Sequence, residues 1–149
     1  MPKIQIFDVK QNMVEEVDKV VKTDDEWKKA LTKEQYEITT KKGTEPPGTC
    51  PFTEAHEPGI FKCIRCGTDL FRVTTKFESG TGWPSFYEPV SDLNITTKTD
   101  VSFLMVRTEV LCARCGSHLG HVFPDGPPPT CKRYCMNGNA LKFVLEKDL

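Results

Sequence analysis

Two copies of one eight-residue pattern constrain this chain more than any other feature of its sequence. Residues 63–70 read CIRCGTDL and residues 112–119 read CARCGSHL. In each copy a tight turn separates two cysteines, and the glycine that follows tolerates backbone conformations that other residues resist. Structural zinc takes four ligands and each copy offers two thiolates, so the copies together predict one tetrahedral site. Its predicted ligands are Cys63, Cys66, Cys112 and Cys115.

Zinc is the predicted metal because the spacings typical of iron–sulfur clusters are missing. One alternative is a pair of redox-active dithiols that hold no metal. Another is a site of two cysteines and two histidines, built from Cys112, Cys115, His118 and His121. Only two residues separate Cys115 from His118, whereas finger-type sites need about a dozen to wrap the chain around the ion. Both histidines are therefore available for other work.

Length and charge predict one compact domain. The 149 residues, 38% of them hydrophobic, suffice for a single core, and we expect an N-terminal arm over 1–22 and one domain over 23–149.

The formal charge of −1 gives no overall field toward nucleic acid or anionic membrane. No stretch approaches the roughly 18 apolar residues of a membrane span, and the start carries no secretion signal. We expect a cytoplasmic protein, in which paired cysteines favour metal over disulfides.

The remaining pattern predicts a mainly β fold with two small antiparallel sheets and short N-terminal helices. Two capping boxes, Thr23 with Glu26 and Thr32 with Gln35, predict the helix starts. A loop dense in proline and glycine follows at 43–52. Short β-branched and aromatic runs broken by turn residues then predict strands within 71–75, 93–97, 101–111 and 141–145.

The two copies differ in their polar residues. Where the first carries Asp69 and Arg72, the second carries His118 and His121. Equivalent scaffolds with unequal polar residues indicate that the second copy faces a functional site. The alternative is an ordinary pair of surface or capped histidines.

Residues 133–137, RYCMN, predict a reactive thiol. If this segment is extended, Arg133, Cys135 and Asn137 share one face, while Tyr134 and Met136 point to the other. The guanidinium favours the thiolate form of Cys135, and the amide can donate to a bound oxygen. The alternative is an inert cysteine buried in a strand.

Trp83 lies between a glycine-rich turn and a proline in GTGWPSF, residues 80–86. An indole held in this way can serve as a flat wall against sulfur and methyl groups. Trp83 could equally be a core residue.

Together these motifs resemble one enzyme family. GWPSF at 82–86, HLGHVF at 118–123, DGP at 125–127 and RYC-x-N at 133–137, in order with the two cysteine pairs, are similar to the B class of methionine-R-sulfoxide reductases. The resemblance covers roughly residues 40 to 145, and its combined motifs are highly specific. It implies a zinc-bearing pair of antiparallel sheets with short N-terminal helices, and an activity that restores oxidised methionine.

The resemblance also implies a role for each matching residue. Cys135 would attack the sulfoxide sulfur of an oxidised protein or of free methionine sulfoxide and become a sulfenic acid. A second thiol would convert this to a disulfide, which thioredoxin reduces. The supporting residues it implies are Trp83 as the wall for the S-methyl group, His118, His121 and Asn137 at the sulfoxide oxygen, and Arg133 and Phe123 beside them. We expect a monomer.

The resolving thiol departs from the family pattern. Many members carry a cysteine two residues before the tryptophan, where this chain has Thr81. Cys50, in the proline-rich loop, is the first candidate. Cys131, which stands where glycine is usual, is the second, although in an extended segment it would lie about 13 Å from Cys135 at Cα, too far for a disulfide unless the turn folds back.

Three other functions remain open from the sequence. A zinc-ribbon module that binds RNA or a protein would leave Cys135 and the histidines without a role. A thiol redox sensor or a peroxide-reducing enzyme shares the nucleophile but does not need Trp83. A related chaperone-like zinc fold would be expected to lack the motif around Cys135.

Overall fold

The computed structural model describes residues 3–44, 46, 57–101 and 104–149. Two helices follow an N-terminal β-hairpin, and all further strands come after them. The helices are α1 (Asp24–Ala30) and α2 (Lys33–Lys41). The strands are β1 (Lys3–Asp8), β2 (Met13–Asp18), β3 (Gly59–Cys63), β4 (Asp69–Arg72), β5 (Lys76–Phe77), β6 (Ser85–Phe86), β7 (Ile95–Asp100), β8 (Arg107–Cys112), β9 (His118–Phe123), β10 (Arg133–Met136) and β11 (Leu141–Leu145).

These strands pair antiparallel throughout. The largest sheet has the order β5-β6-β10-β9-β8-β7, and a smaller one has the order β11-β3-β4. Strands β1 and β2 pair only with each other. The predicted fold, mainly β with antiparallel sheets and short N-terminal helices, is confirmed.

Both predicted capping boxes are present. The Thr23 hydroxyl accepts from Glu26 N at 3.2 Å, and Thr23 N donates to the Glu26 carboxylate at 3.0 Å. Thr32 and Gln35 repeat these two bonds before α2. Each box satisfies amide donors that the first helical turn leaves without a partner. The C-cap residue of helix α2 is Lys42, which adopts the left-handed conformation with a φ of 57°.

Aromatic rings join the two larger sheets. Phe71 of β4 stacks on Phe86 of β6 with ring centroids 4.5 Å apart, and Phe61 of β3 meets the same ring edge-on at 5.1 Å. All three side chains are fully buried. Burial of each contributes about 1.5–3 kcal/mol to folding, so this cluster fixes the smaller sheet against the strands that carry Cys135.

Some predicted strands start later or end earlier than expected. The run 71–75 leaves the sheet after Arg72, where the Thr75 hydroxyl donates to the Arg72 carbonyl at 2.9 Å and closes a 3-10 turn. The run 93–97 starts with another such turn, because the buried Asn94 amide bonds across the chain to Asp69 O. Strand β8, expected within 101–111, starts at Arg107. Side-chain bonds to the backbone here replace ladder bonds.

The N-terminal hairpin is hydrogen-bonded to the rest of the chain. Phe7 N donates to the Asn94 side chain at 2.8 Å, and Val9 N donates to Asp69 Oδ2 at 2.9 Å. After β2, Val20 N donates to Arg114 O at 2.9 Å. The hairpin and the residues after it are thus bonded to Asn94, to the start of β4 and to the second cysteine turn, while the domain boundary at 22 stays a prediction.

In the part of the chain that the structure describes, neither helix combines the length and the apolar character that crossing a membrane requires.

Candidate metal centre and active site

The four predicted metal ligands meet at one point. Their sulfur atoms all lie within 4.8 Å of one another, and the closest pairs, Cys63 with Cys115 and Cys66 with Cys112, are each 3.6 Å apart. Four sulfurs placed tetrahedrally at the usual zinc–sulfur distance would be about 3.8 Å apart. The cluster therefore fits a metal ion bound by four cysteines.

The two cysteine turns have the same backbone structure. Gly67 N donates to Cys63 O at 2.8 Å, and Gly116 N donates to Cys112 O at 2.9 Å. Both glycines have a positive φ, 78° and 77°, which is why glycine is the residue that suits each turn. One turn connects β3 to β4 and the other connects β8 to β9. A bound ion would thus link the two larger sheets.

The close contacts among the four thiols shift their pKa values in different directions. The contact with Cys112 raises the pKa of Cys63 well above its usual range and lowers that of Cys66. Four thiolates this close repel one another, so they cannot all be charged without a cation between them. The donor set thus favours a divalent ion.

Strand β10 presents its thiol as the alternation predicted. Tyr134 and Met136 are buried against the core, while Arg133 and Cys135 are half-buried on the opposite face. Cys135 lies at the wall of a cavity of about 240 Å³. The residues that line this cavity are Thr44, Thr81, Trp83, Arg107, Gly120, His121, Phe123, Arg133, Cys135, Met136 and Asn137.

The cavity brings together most of the predicted site. Trp83, Phe123, His121, Arg133, Cys135 and Asn137 all line it. The predicted pairing of indole and thiol in one pocket therefore exists in the fold.

A network of hydroxyl groups holds the turn that carries Trp83. The Thr81 hydroxyl is 2.7 Å from that of Ser79 and accepts from Trp83 N at 3.3 Å. The Ser85 hydroxyl donates to Trp83 O at 3.1 Å. Met136 N then donates to Pro84 O at 2.9 Å, which ties the turn to β10 next to Cys135.

His118 is placed differently from His121. Only 2% of its surface is exposed, and its Nδ1 lies 2.6 Å from Glu109 Oε2. Its ring centroid is 5.5 Å from that of His121, but His118 does not line the cavity. Burial lowers the pKa of His118, and the hydrogen bond to Glu109 only partly opposes this. Desolvation thus works against the charged form of this imidazole.

His121 is held by a carboxylate. Its Nε2 lies 2.8 Å from Asp100 Oδ2, and Arg107 approaches the same oxygen at 3.7 Å. A carboxylate accepts only, so Nε2 of His121 carries the proton in this contact. Nδ1 is then the ring nitrogen available for other contacts.

The electrostatic balance at Cys135 differs from the expectation. Burial raises the pKa of the Cys135 thiol, and the charge of Arg133 and hydrogen bonds from Thr81 and Ser85 only partly lower it. Arg133 also forms an ion pair with Asp125, whose Oδ1 lies 2.9 Å from the Arg133 Nε. The predicted effect of Arg133 on the thiolate is present, but desolvation outweighs it.

Comparison with known proteins decides the family. Residues 31–145 match the family model described as the SelR domain. The chain is 53% identical over 129 residues to the peptide methionine sulfoxide reductase MsrB of Methanosarcina barkeri, covering 87% of this chain and 91% of that protein. It is 50% identical over 127 residues to the MsrB of Hahella chejuensis, covering 85% and 91%. It is also 57% identical over 121 residues to the chloroplastic peptide methionine sulfoxide reductase B1 of Oryza sativa subsp. japonica, covering 80% and 56%.

The chain belongs to the MsrB family. The resemblance of the sequence motifs to B-class methionine sulfoxide reductases is thereby confirmed, and the family consists of oxidoreductases.

The two candidate resolving thiols of this MsrB member differ in what the structure reveals. Cys50 lies outside the described residues. Cys131 is exposed, in a left-handed turn conformation with a φ of 60°, and does not line the cavity. Such a φ is usual for glycine and costly for most other residues. Cys131 N donates to Pro127 O at 2.9 Å, so the segment before β10 folds into a turn and does not run extended.

Several residues around the MsrB cavity were not found from the sequence. Asp100 and Glu109 hold the two histidines, and Lys42 lies 3.1 Å from Glu109 Oε1. Glu109 is fully buried, and because charged side chains are usually exposed, its residue type alone did not indicate this.

Gly120 is another residue whose importance was not found from the sequence. Its contact explains why this position is glycine. A Cβ atom there would collide with the carbonyl oxygen of Cys135. Glycine thus allows β9 and β10 to approach each other beside the nucleophile candidate.

Proposed function

We propose that the chain reduces methionine-R-sulfoxide to methionine, in oxidised proteins and as the free amino acid, as a peptide-methionine (R)-S-oxide reductase. The observation that carries the proposal is the cavity that the Cys135 thiol and the Trp83 indole share. Membership of the MsrB family supports the same reaction. An RNA- or protein-binding zinc module would not need a thiol and an indole in one cavity.

Cys135 is the nucleophile in this proposal. Its thiolate attacks the sulfoxide sulfur, the oxygen passes to the cysteine sulfur, and one proton is taken up. The products are a thioether and a sulfenic acid on Cys135, so the methionine sulfur is reduced and the cysteine sulfur is oxidised. The pKa of Cys135 is raised by burial, so the reaction depends on stabilising the thiolate as the substrate binds, with Arg133 as the nearby cation.

The polar wall serves the sulfoxide oxygen. His121 pairs with Asp100 through Nε2 and acts as the general acid through Nδ1, whose proton passes to the oxygen and leaves that oxygen as a hydroxyl on sulfur. Asn137 offers an amide donor to the same atom. His118 supports the position of the His121 ring, whose centroid lies 5.5 Å from its own. Trp83 and Phe123 bind the S-methyl group and the side-chain stem, because an apolar wall excludes the oxygen from that half of the cavity.

The second half of the cycle needs another thiol. A resolving cysteine attacks the sulfenic sulfur, forms a disulfide with Cys135 and releases water. Thioredoxin then reduces that disulfide and is itself oxidised to its disulfide. Cys50 is our first choice for the resolving thiol and Cys131 the second.

Zinc is the proposed ion of the four-cysteine centre. The sulfur separations and the all-thiolate donor set support it. When bound, zinc supplies a structural cross-link and takes no part in the redox chemistry. Paired cysteines that bind a metal are typical of proteins in a reducing compartment, so we assign the chain to the cytoplasm. We further propose a monomer, which light scattering can test.

The test uses the two epimers of methionine sulfoxide separately, with dithiothreitol as the reductant. We expect turnover of the R epimer alone and its complete loss in Cys135→Ser. Trp83→Ala should lower kcat/KM for the R epimer while retaining a measurable rate. Turnover of neither epimer by the wild type would refute the proposed function.

A further inference from the structure

The loop between β7 and β8 carries an unusual apolar surface. Eight large apolar side chains in the described residues are exposed, and four of them lie in this one six-residue loop. Leu104 is completely exposed at 105% of its reference surface, in a left-handed conformation with a φ of 59°. We define the hairpin tip by its described apolar residues, Val101, Leu104, Met105 and Val106. Several exposed apolar side chains in one short loop mark an interaction site more often than single scattered residues do.

The hairpin tip starts at the wall of the cavity. Asp100 and Arg107 pair in the β7–β8 register directly before and after the loop. Asp100 holds His121, and Arg107 lines the cavity itself. Consecutive Cα atoms are about 3.8 Å apart, so Val106 adjoins a residue that lines the cavity and Val101 adjoins the residue that holds His121.

The size of the cavity indicates what must cover the tip. About 240 Å³ is less than the roughly 300–1,000 Å³ of clefts that enclose drug-sized ligands. One oxidised side chain fits inside, and the polypeptide on both sides of it must then run across the rim. Methionine is itself among the residues most often buried in proteins, and its oxidation disrupts the core around it. A chain that presents an oxidised methionine therefore exposes apolar neighbours with it.

We propose that the hairpin tip docks the apolar residues that flank a methionine-R-sulfoxide in a locally unfolded polypeptide. The proposal rests on the proposed function and adds a preference among its substrates. The tip would bury part of its exposed side chains against the flanking residues and so lower KM for such segments. Free methionine sulfoxide, which has no flanking residues, would gain nothing from it.

The experiment compares three R-sulfoxide substrates with dithiothreitol as the reductant: N-acetyl-methionine sulfoxide, a pentapeptide with leucine and valine around the sulfoxide, and the same pentapeptide with serines. The variant is the double substitution Leu104→Asn/Val106→Thr, because asparagine tolerates a positive φ and threonine keeps the shape of valine. The matched control makes the same exchanges elsewhere, Leu93→Asn/Val21→Thr, at side chains that are 42% and 66% exposed.

We expect kcat/KM for the apolar pentapeptide to fall about tenfold in the tip variant, as loss of contact by two apolar side chains predicts. The serine pentapeptide and the acetylated amino acid should stay within about twofold, and the control should stay within about twofold on all three. Equal losses on all three substrates, or no loss on the apolar pentapeptide, would overturn the proposal.

Two other occupants of the tip give distinct results. If the tip binds the protein reductant, the variant keeps its rates with dithiothreitol but slows on every substrate with thioredoxin. If it binds a second copy of the chain, light scattering finds a dimer that the variant abolishes. Either result overturns docking of the substrate. A wild type that reduces none of the three substrates would instead refute the proposed function, and this inference with it.

Discussion

His121 and Cys135 lie opposite each other as partners on the neighbouring strands β9 and β10. Strand pairing therefore sets the distance between the proposed proton donor and the proposed nucleophile, and neither residue lies in a loop. Gly120 makes this register possible, because a side chain there would collide with the Cys135 carbonyl. Strand-borne groups of this kind are held more precisely than groups on loops.

The first prediction concerns the carboxylate that holds His121. Asp100→Asn keeps the size of the side chain but removes the charged acceptor that holds the His121 ring at 2.8 Å. We expect kcat/KM for methionine-R-sulfoxide to fall tenfold or more, because a hydrogen bond to a charged group contributes about 1.5–3 kcal/mol. Asp18→Asn, at an exposed residue of β2, is the control and should keep the wild-type rate. Full activity of Asp100→Asn would remove Asp100 from the mechanism.

The second prediction concerns the metal centre. Cys63→Ser should lose the bound ion and unfold at low temperature, because structural zinc contributes about 10–16 kcal/mol in small domains, comparable to the whole stability of a typical protein. Elemental analysis and Tm measure the two effects. Cys131→Ser, at an exposed cysteine, should keep one zinc per chain and the wild-type Tm. A Cys63→Ser protein that folds normally without metal would contradict the structural role.

The sequence predicted the parts of this structure that local spacing determines. The C-x-x-C turns, the capping boxes of Thr23 and Thr32, and the alternating faces of β10 all follow from periods of two to four residues, and the structure contains them. Each depends on short-range geometry that tertiary contacts did not override.

The sequence did not predict what depends on long-range register. Both histidines were expected at the sulfoxide oxygen, and the structure places His121 in the cavity lining, whereas His118 is buried against Glu109. Their partners Asp100 and Glu109 come from strands paired only in the folded sheet. The direction of the Cys135 pKa shift likewise depends on burial of the thiol, which residue spacing does not reveal.

The third prediction concerns the resolving thiol. Cys50→Ser should abolish turnover with thioredoxin but leave a single stoichiometric reduction of methionine-R-sulfoxide intact, because the sulfenic acid still forms on Cys135. Rapid-quench analysis of methionine formed per chain measures this. Cys131→Ser serves as the matched control and should cycle normally. If Cys131→Ser stops cycling and Cys50→Ser does not, the resolving role moves to Cys131.

The fourth prediction is a pH dependence of stability due to His118. Burial lowers its pKa in the folded chain, so the unfolded chain binds the extra proton first as the pH falls. The free energy of unfolding should therefore decrease as the pH drops below about 6.5, the ordinary value for histidine. Urea unfolding of the wild type and His118→Gln at pH 7.5 and 6.0, with excess zinc in both, measures the difference. A variant with the same pH dependence as the wild type would show that His118 does not cause it.

The last prediction concerns the cation beside the nucleophile. Arg133 lowers the pKa of Cys135 against the opposing effect of burial, so Arg133→Met should raise that pKa further. The thiolate fraction at neutral pH then falls about tenfold for each unit of pKa, and kcat/KM falls with it. Because the thiolate gains population as the pH rises, the rate of the variant should recover toward the wild-type rate in alkaline buffer. Lys132→Met, at an exposed cation one residue away, should leave the pH profile unchanged. A loss in Arg133→Met that is equal at every pH would mean that Arg133 acts on the substrate and not on the ionisation of Cys135.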